Sequence, residues 1–183
     1  MPGERLPREL DVVINDISSD APTHLLAVHA KPATRVSLFP VHAIILAAHC
    51  ARLPPFPPSS SRTPAEAGSK ITFPVTPFFI PIPETFPIIL HYLYTKSVDR
   101  LFLALLPLPL QSGKPSIDEL SRTYSSTFTV QALLSHAARV RGLWSNVVVL
   151  GISDGRLWQV IEVAWDVLLK ALAVSTGAKW ETV

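Results

Sequence analysis

Apolar residues recur along this chain at two kinds of spacing. Four stretches carry a helical period. Phe86, Ile89, Leu90, Leu93 and Tyr94 fall at i, i+3, i+4, i+7 and i+8, one apolar face. Pro83 suits a first helical position, because its φ is pre-set and its missing N–H has no partner there, while Glu84 opposes the positive helix end. Pro87 comes at the end of the first turn, where it removes one donor without abolishing the helix. Upstream, Val41, Ile44, Ile45 and Ala48 share a face and predict a helix over 41–50. Downstream, Val130, Leu133, Leu134, Ala137 and Val140 predict a helix over 127–145 capped by Thr127. The most regular face is Leu157, Val160, Ile161, Ala164, Leu168 and Leu172, opposite Gln159, Glu162, Asp166 and Lys170, in a helix over 155–175 that Gly177 stops. Asp166 and Lys170 form an i, i+4 pair there. Residues 147–150 read either as a short strand or as the end of a helix bounded by Gly151.

Extended segments account for most of the rest. Residues 10–16 form a first strand, with Val12, Val13 and Ile14 as a buried run ended by Asn15 and Asp16. Residues 24–29 and 34–39 form a hairpin about Lys31 and Pro32. The segments 71–75 and 77–82 are placed at a sheet edge, because proline cannot donate to a ladder. Residues 52–70 are rich in proline and serine and form an exposed loop. A second irregular insertion spans about 98–126. Its apolar run at 101–110 contains two prolines and reads as a loop or short helix, and a short helix is expected near 117–120.

Composition narrows the class. With 183 residues, 48% of them hydrophobic and 16% charged, the chain is read as a single packed domain over 1–183. A net charge of +2 and the absence of any Lys or Arg run give direct nucleic-acid binding little support. The single Cys50 cannot form an internal disulfide, which points to an intracellular compartment, nucleus or cytoplasm. The charged, proline-broken N-terminus has no signal-peptide core, and no membrane segment is expected.

Three short motifs resemble the BTB/POZ interaction domain: Asp11 to Ile14, the strand-to-helix junction from Phe39 to Cys50 containing His42, and Pro83-Glu84-x-Phe86 leading to Leu93-Tyr94-Thr95. The resemblance implies an α+β fold, a small mixed sheet flanked by helices, in which Asp11, His42, Phe86 and Tyr94 are structural or junction residues. It implies that the His42 ring satisfies backbone groups where the first helix starts. That family's second helix is modified or missing here, since the proline-rich loop takes its place. The Arg that helps form a charged dimer pocket in many BTB domains is Ala43 here, so a buried Asp11 needs other donors. The usual swapped dimer and cullin binding are not carried over, and self-association stays open.

The chain is also similar to the clampless protein family of mushroom-forming and related fungi, through 39–49, 79–97 and 132–172. That resemblance implies a regulator of clamp-cell formation and sexual development in the mating-type pathway, acting by protein contact, with homeodomain transcription factors among the candidate partners.

Candidate chemistry supports a noncatalytic reading. Arg52, Pro55 and Pro58 have the spacing of a proline-rich ligand for an aromatic groove and, with Phe56, are the candidate partner-binding residues. Thr63, before Pro64, is a candidate phosphorylation site. None of the six histidines falls in a metal-ligand spacing with Cys50 or a carboxylate, and neither a phosphate-binding glycine loop nor a nucleophile elbow is present. No cofactor and no enzymatic activity are expected. Two alternatives are kept: a DNA-associated transcriptional cofactor, with Arg139 and Arg141 as its few basic residues, and an enzyme whose polar pocket converges only in the fold.

Overall fold

The computed structural model describes residues 6–15, 21–31, 35–59, 66–107 and 116–178. They fall into two compact units, Met1–Pro83 with Val149–Ile152, and Glu84–Val148 with Ser153–Val183.

The first unit is built on a mixed four-stranded sheet in the order β1-β4-β2-β3. Its strands are β1 (Glu9–Ile14), β2 (His24–His29), β3 (Ser37–Val41) and β4 (Ser69–Phe79), with helix α1 (Ala43–His49) following β3. The hairpin of β2 and β3 forms as expected, His24 opposite Val41. The two proline-interrupted segments after residue 70 are instead one eleven-residue strand, and it is central. Its first half pairs antiparallel with β1, from Ser69 to Pro74, and its second half pairs parallel with β2, from Val75 to Phe79. Each half thus has a strand neighbour on one side among the described residues, and this tolerates Pro74 and Pro77 in a central strand. One face buries Leu25, Ala27, Phe73 and Val75, with Leu10, Val12, Ile14 and Ile71 packed against them. Alternation overrides the expected buried run in β1: Val13 is 55% exposed.

Helix α1 also turns differently from its sequence pattern. Leu46 and Cys50 are buried, one turn apart, whereas Ile44 is 76% exposed and Ala48 is exposed too. No helix lies in the described residues between α1 and β4.

The second unit is helical: a 3-10 turn (Pro83–Thr85), whose Pro83 ends the first unit, then α2 (Phe86–Thr95), α3 (Val98–Leu105), α4 (Ile117–Thr127), α5 (Val130–Leu150), whose last two residues belong to the first unit, and α6 (Gly155–Thr176). Pro83 opens the 3-10 turn rather than the α-helix, and Pro87 occupies the first turn of α2. Phe86, Ile89, Tyr92 and Leu93 are its buried face; Tyr94, expected on that face, is 40% exposed. The stretch expected to be irregular, about 98–126, holds two helices: α3, which reaches into the run read as a loop or short helix, and α4, which begins at the short helix expected near 117–120 and extends to Thr127. Both have strong local starts: Ser97 Oγ accepts from Arg100 N–H at 3.3 Å, and Ser116 with Glu119 forms a reciprocal capping box. Thr127 ends α4, and Thr129 Oγ1 caps α5 by accepting from Ala132 N–H at 3.3 Å. Residues 147–150 complete α5, and Gly177, at φ 69°, ends α6 as expected. Lys170 pairs with Asp118 of α4 at 3.0 Å instead of with Asp166 one turn away. Among the described residues, no helix is long and apolar enough to cross a membrane.

Candidate functional site

The proline-rich segment has no regular secondary structure over 53–59, yet polar contacts pin both its ends within the first unit. At one end Ala51 N–H donates to Gly151 O at 3.4 Å and Arg52 N–H to Leu150 O at 3.1 Å. Gly151 has φ 66°, which strains any other residue, and a Cβ on it would lie 3.2 Å from Ala51 Cβ and 3.3 Å from Arg52 Cγ, close enough that these neighbours would have to give way.

At the other end the segment lies over the start of β2. His24 is 4% exposed. Its Nε2 is 2.9 Å from Pro57 O, and a carbonyl can only accept, so Nε2 carries the proton. Its Nδ1 is 2.9 Å from Thr23 Oγ1. The Phe56 ring meets the His24 ring edge-on with centroids 5.0 Å apart, and Ser59 Oγ–H donates to Thr23 O at 2.8 Å. The strap therefore turns Phe56 inward, half-buried, while Arg52, Pro55 and Pro58 stay exposed together with Pro57. Three of the four expected partner-binding residues face outward at a spacing of three; the fourth anchors the strap.

Thr23 is the hub of this end, and sequence reasoning missed it. Its Oγ1 accepts from Ala43 N–H at 2.9 Å, which caps α1. His42, expected to serve that helix start, makes no side-chain cap hydrogen bond. A capping residue twenty positions upstream leaves no local signal. Asp11 is not a buried pocket residue either. It sits on the surface of β1, accepting from Thr72 Oγ1 at 2.7 Å and pairing with Lys70 at 3.0 Å, and these two, Thr72 first, hold its carboxyl below the usual range. Phe86 is fully buried, and Thr63 lies outside the described residues.

The second unit has its own polar cluster, also unforeseen. Asp154 caps α6, its Oδ1 accepting from Arg156 N–H at 3.0 Å and Leu157 N–H at 3.4 Å. Its Oδ2 is 3.1 Å from Lys96 Nζ, which stands 5.1 Å from the centroid of the Tyr92 ring. Lys96 has φ 52° and caps α2 in the left-handed conformation. Burial, and then the hydrogen bond to Asp154, push the Tyr92 hydroxyl up to about 12. Burial raises the Asp154 carboxyl, but the bonds from Lys96, Tyr92 and the Leu157 N–H outweigh it and hold the group below its ordinary value. Elsewhere, Asn146 Nδ2–H donates to Thr85 Oγ1 at 2.7 Å, both residues buried. Burial, with Arg139 nearby, lowers the His136 imidazole. No group of three His, Cys, Asp or Glu side chains among the described residues is placed to hold a metal ion.

Family comparison divides the chain near the same place as the structure. The Clampless protein 1 N-terminal domain matches residues 1–81, and the Clampless protein 1 C-terminal domain matches residues 99–183. The chain belongs to the clampless protein family. Comparison with curated proteins and with solved structures finds no match. In this clampless-family chain the strap and its His24 anchor lie within the N-terminal family domain, whereas Asp154 and Asn146 lie within the C-terminal one.

Proposed function

We propose that this protein is a noncatalytic adaptor in fungal clamp formation and sexual development, and that the strap at 52–59 is one of its partner contacts. The observation that carries the reading is the outward placement of Arg52, Pro55 and Pro58 on a segment tied down at both ends. A proline-rich ligand loses little conformational freedom on binding, and a strap already fixed to its own domain loses less. The partner is then a domain with an aromatic groove, such as an SH3 or WW module, in a regulator of the mating-type pathway; homeodomain factors would be reached directly or through it. The BTB-like reading is supported by the hairpin that leads through His42 into α1 in the first unit and by the Pro83-Glu84-x-Phe86 motif, whose Glu84 and Phe86 open the second.

The test titrates a panel of SH3 and WW domains against the whole chain and against a variant carrying Arg52→Ala, Pro55→Ala and Pro58→Ala, with clamp formation scored in a strain expressing each. None of these side chains is buried, so the variant keeps its fold. The adaptor reading expects a panel member whose affinity falls at least about tenfold, with loss of clamps. Equal binding and normal clamps would contradict it.

A further inference from the structure

Among the described residues, nothing covers part of one face of helix α5. Val130, Leu134, Arg141, Trp144 and Val148 fall at i, i+4, i+11, i+14 and i+18, a single stripe about 27 Å long at 1.5 Å per residue. Its apolar members are 38%, 49%, 48% and 38% exposed, in chain order. They are also symmetric: Val130 and Val148 flank position 139 at equal distance, and so do Leu134 and Trp144. Ala138, which is exposed, lies near the stripe at that level and is small enough for close approach. Beside the stripe is a groove of about 410 Å³ between α5 and α6, lined by Val140, Arg141, Trp144, Ile161, Glu162 and Trp165. Among the described residues, neither Arg141 nor Glu162 has an ion-pair partner in the chain.

With its apolar members placed symmetrically, Val130 against Val148 and Leu134 against Trp144, the stripe fits a copy of itself turned around. We propose that this face is a homodimer interface: two copies pair antiparallel along α5, each seats Leu134 in the Trp144–Trp165 groove of the other, and Arg141 and Glu162 pair reciprocally across the two-fold axis. The charge pattern favours this occupant. Two guanidinium and two carboxylate groups alternate around such an axis, so each copy supplies the partner charge that the other lacks. Every contact is made twice, and the large side chains enriched at interface centres are present as Trp144 and Trp165. The inference is independent of the strap, which lies in the other unit.

Sedimentation equilibrium of the whole chain tests it. The wild type is expected to dimerise, and Leu134→Glu to weaken the dimer on the order of a hundredfold, since the substitution enters the interface twice. Arg141→Glu and Glu162→Arg are each expected to sediment as monomers, while an equal mixture of the two dimerises, because each then meets its opposite charge. The charge variants are surface substitutions, so they decide the matter even if Leu134→Glu fails to fold. A wild type that stays monomeric at every soluble concentration, a dimer unaffected by these changes, or a mixture no more associated than its components would overturn the proposal. So would a monomer whose groove takes up only another protein's helix.

Discussion

The two units are held in different ways. In the second, long helices bury periodic apolar faces, and the helix starts at Ser97, Ser116 and Asp154 are capped within three residues. In the first, the segment over 51–59 rests on a few contacts from far along the chain, His24 to Pro57, Thr23 to Ser59, and Gly151 to Ala51. Damage should therefore spread differently. A lost core side chain in the helical unit removes packing that many neighbours share, whereas a lost anchor in the first unit frees one strap and leaves the sheet in place.

Phe86→Ala should have the largest effect. Its ring is fully buried, and the truncation is expected to lower unfolding free energy by about 3–5 kcal/mol in urea titrations. A loss under 1 kcal/mol would remove the contrast drawn here. Asn146→Ala comes next, at about 1–3 kcal/mol, because it takes away the buried amide that donates to Thr85 Oγ1. Gly151→Ala is expected to cost about 1–2 kcal/mol through its positive φ and the close Ala51 Cβ, and to raise proteolysis within 51–59 more than elsewhere. The smallest change is Asp154→Asn, which keeps a capping oxygen and removes the charge. The folded-state carboxyl of Asp154 lies below its ordinary value of 3.8, so the stability it contributes is present above that value and is lost as pH falls through the depressed one. The variant should be less stable than the wild type near neutral pH, by no more than about 1 kcal/mol, with the gap closing in acid unfolding curves.

The same division governs what could be read from sequence. The helices predicted over 127–145 and 155–175 were legible because their apolar faces, Val130 to Val140 and Leu157 to Leu172, run for about three and four turns and Gly177 marks a stop; that 147–150 continue the first of them was not. Helix α1 was legible as an element, but its face was not: with only seven residues, the hairpin before it decides which side is buried, and Leu46 faces inward instead of Ile44. Pro74 and Pro77 argued for a sheet edge because sequence cannot show that one strand changes neighbours midway. The outward residues of the strap were legible from their spacing. Its anchors were not, since His24 reaches Pro57 over 33 positions, Thr23 reaches Ser59 over 36, and Gly151 holds Ala51 from 100 positions away, with no local pattern. The Ser97 and Ser116 caps did have a signal, a serine just ahead of an acidic first turn, from which α3 and the start of α4, expected only as a short helix near 117–120, could have been placed.

The central claim is that the strap is an ordered part of its unit, held by His24, and presents its prolines in that state. Backbone 15N relaxation at Leu53, Phe56 and Ser59 tests it directly. Order parameters near about 0.85 in the wild type, falling below about 0.6 in His24→Ala while β2 and β4 stay rigid, are the predicted result. Values already below about 0.6 in the wild type would contradict it.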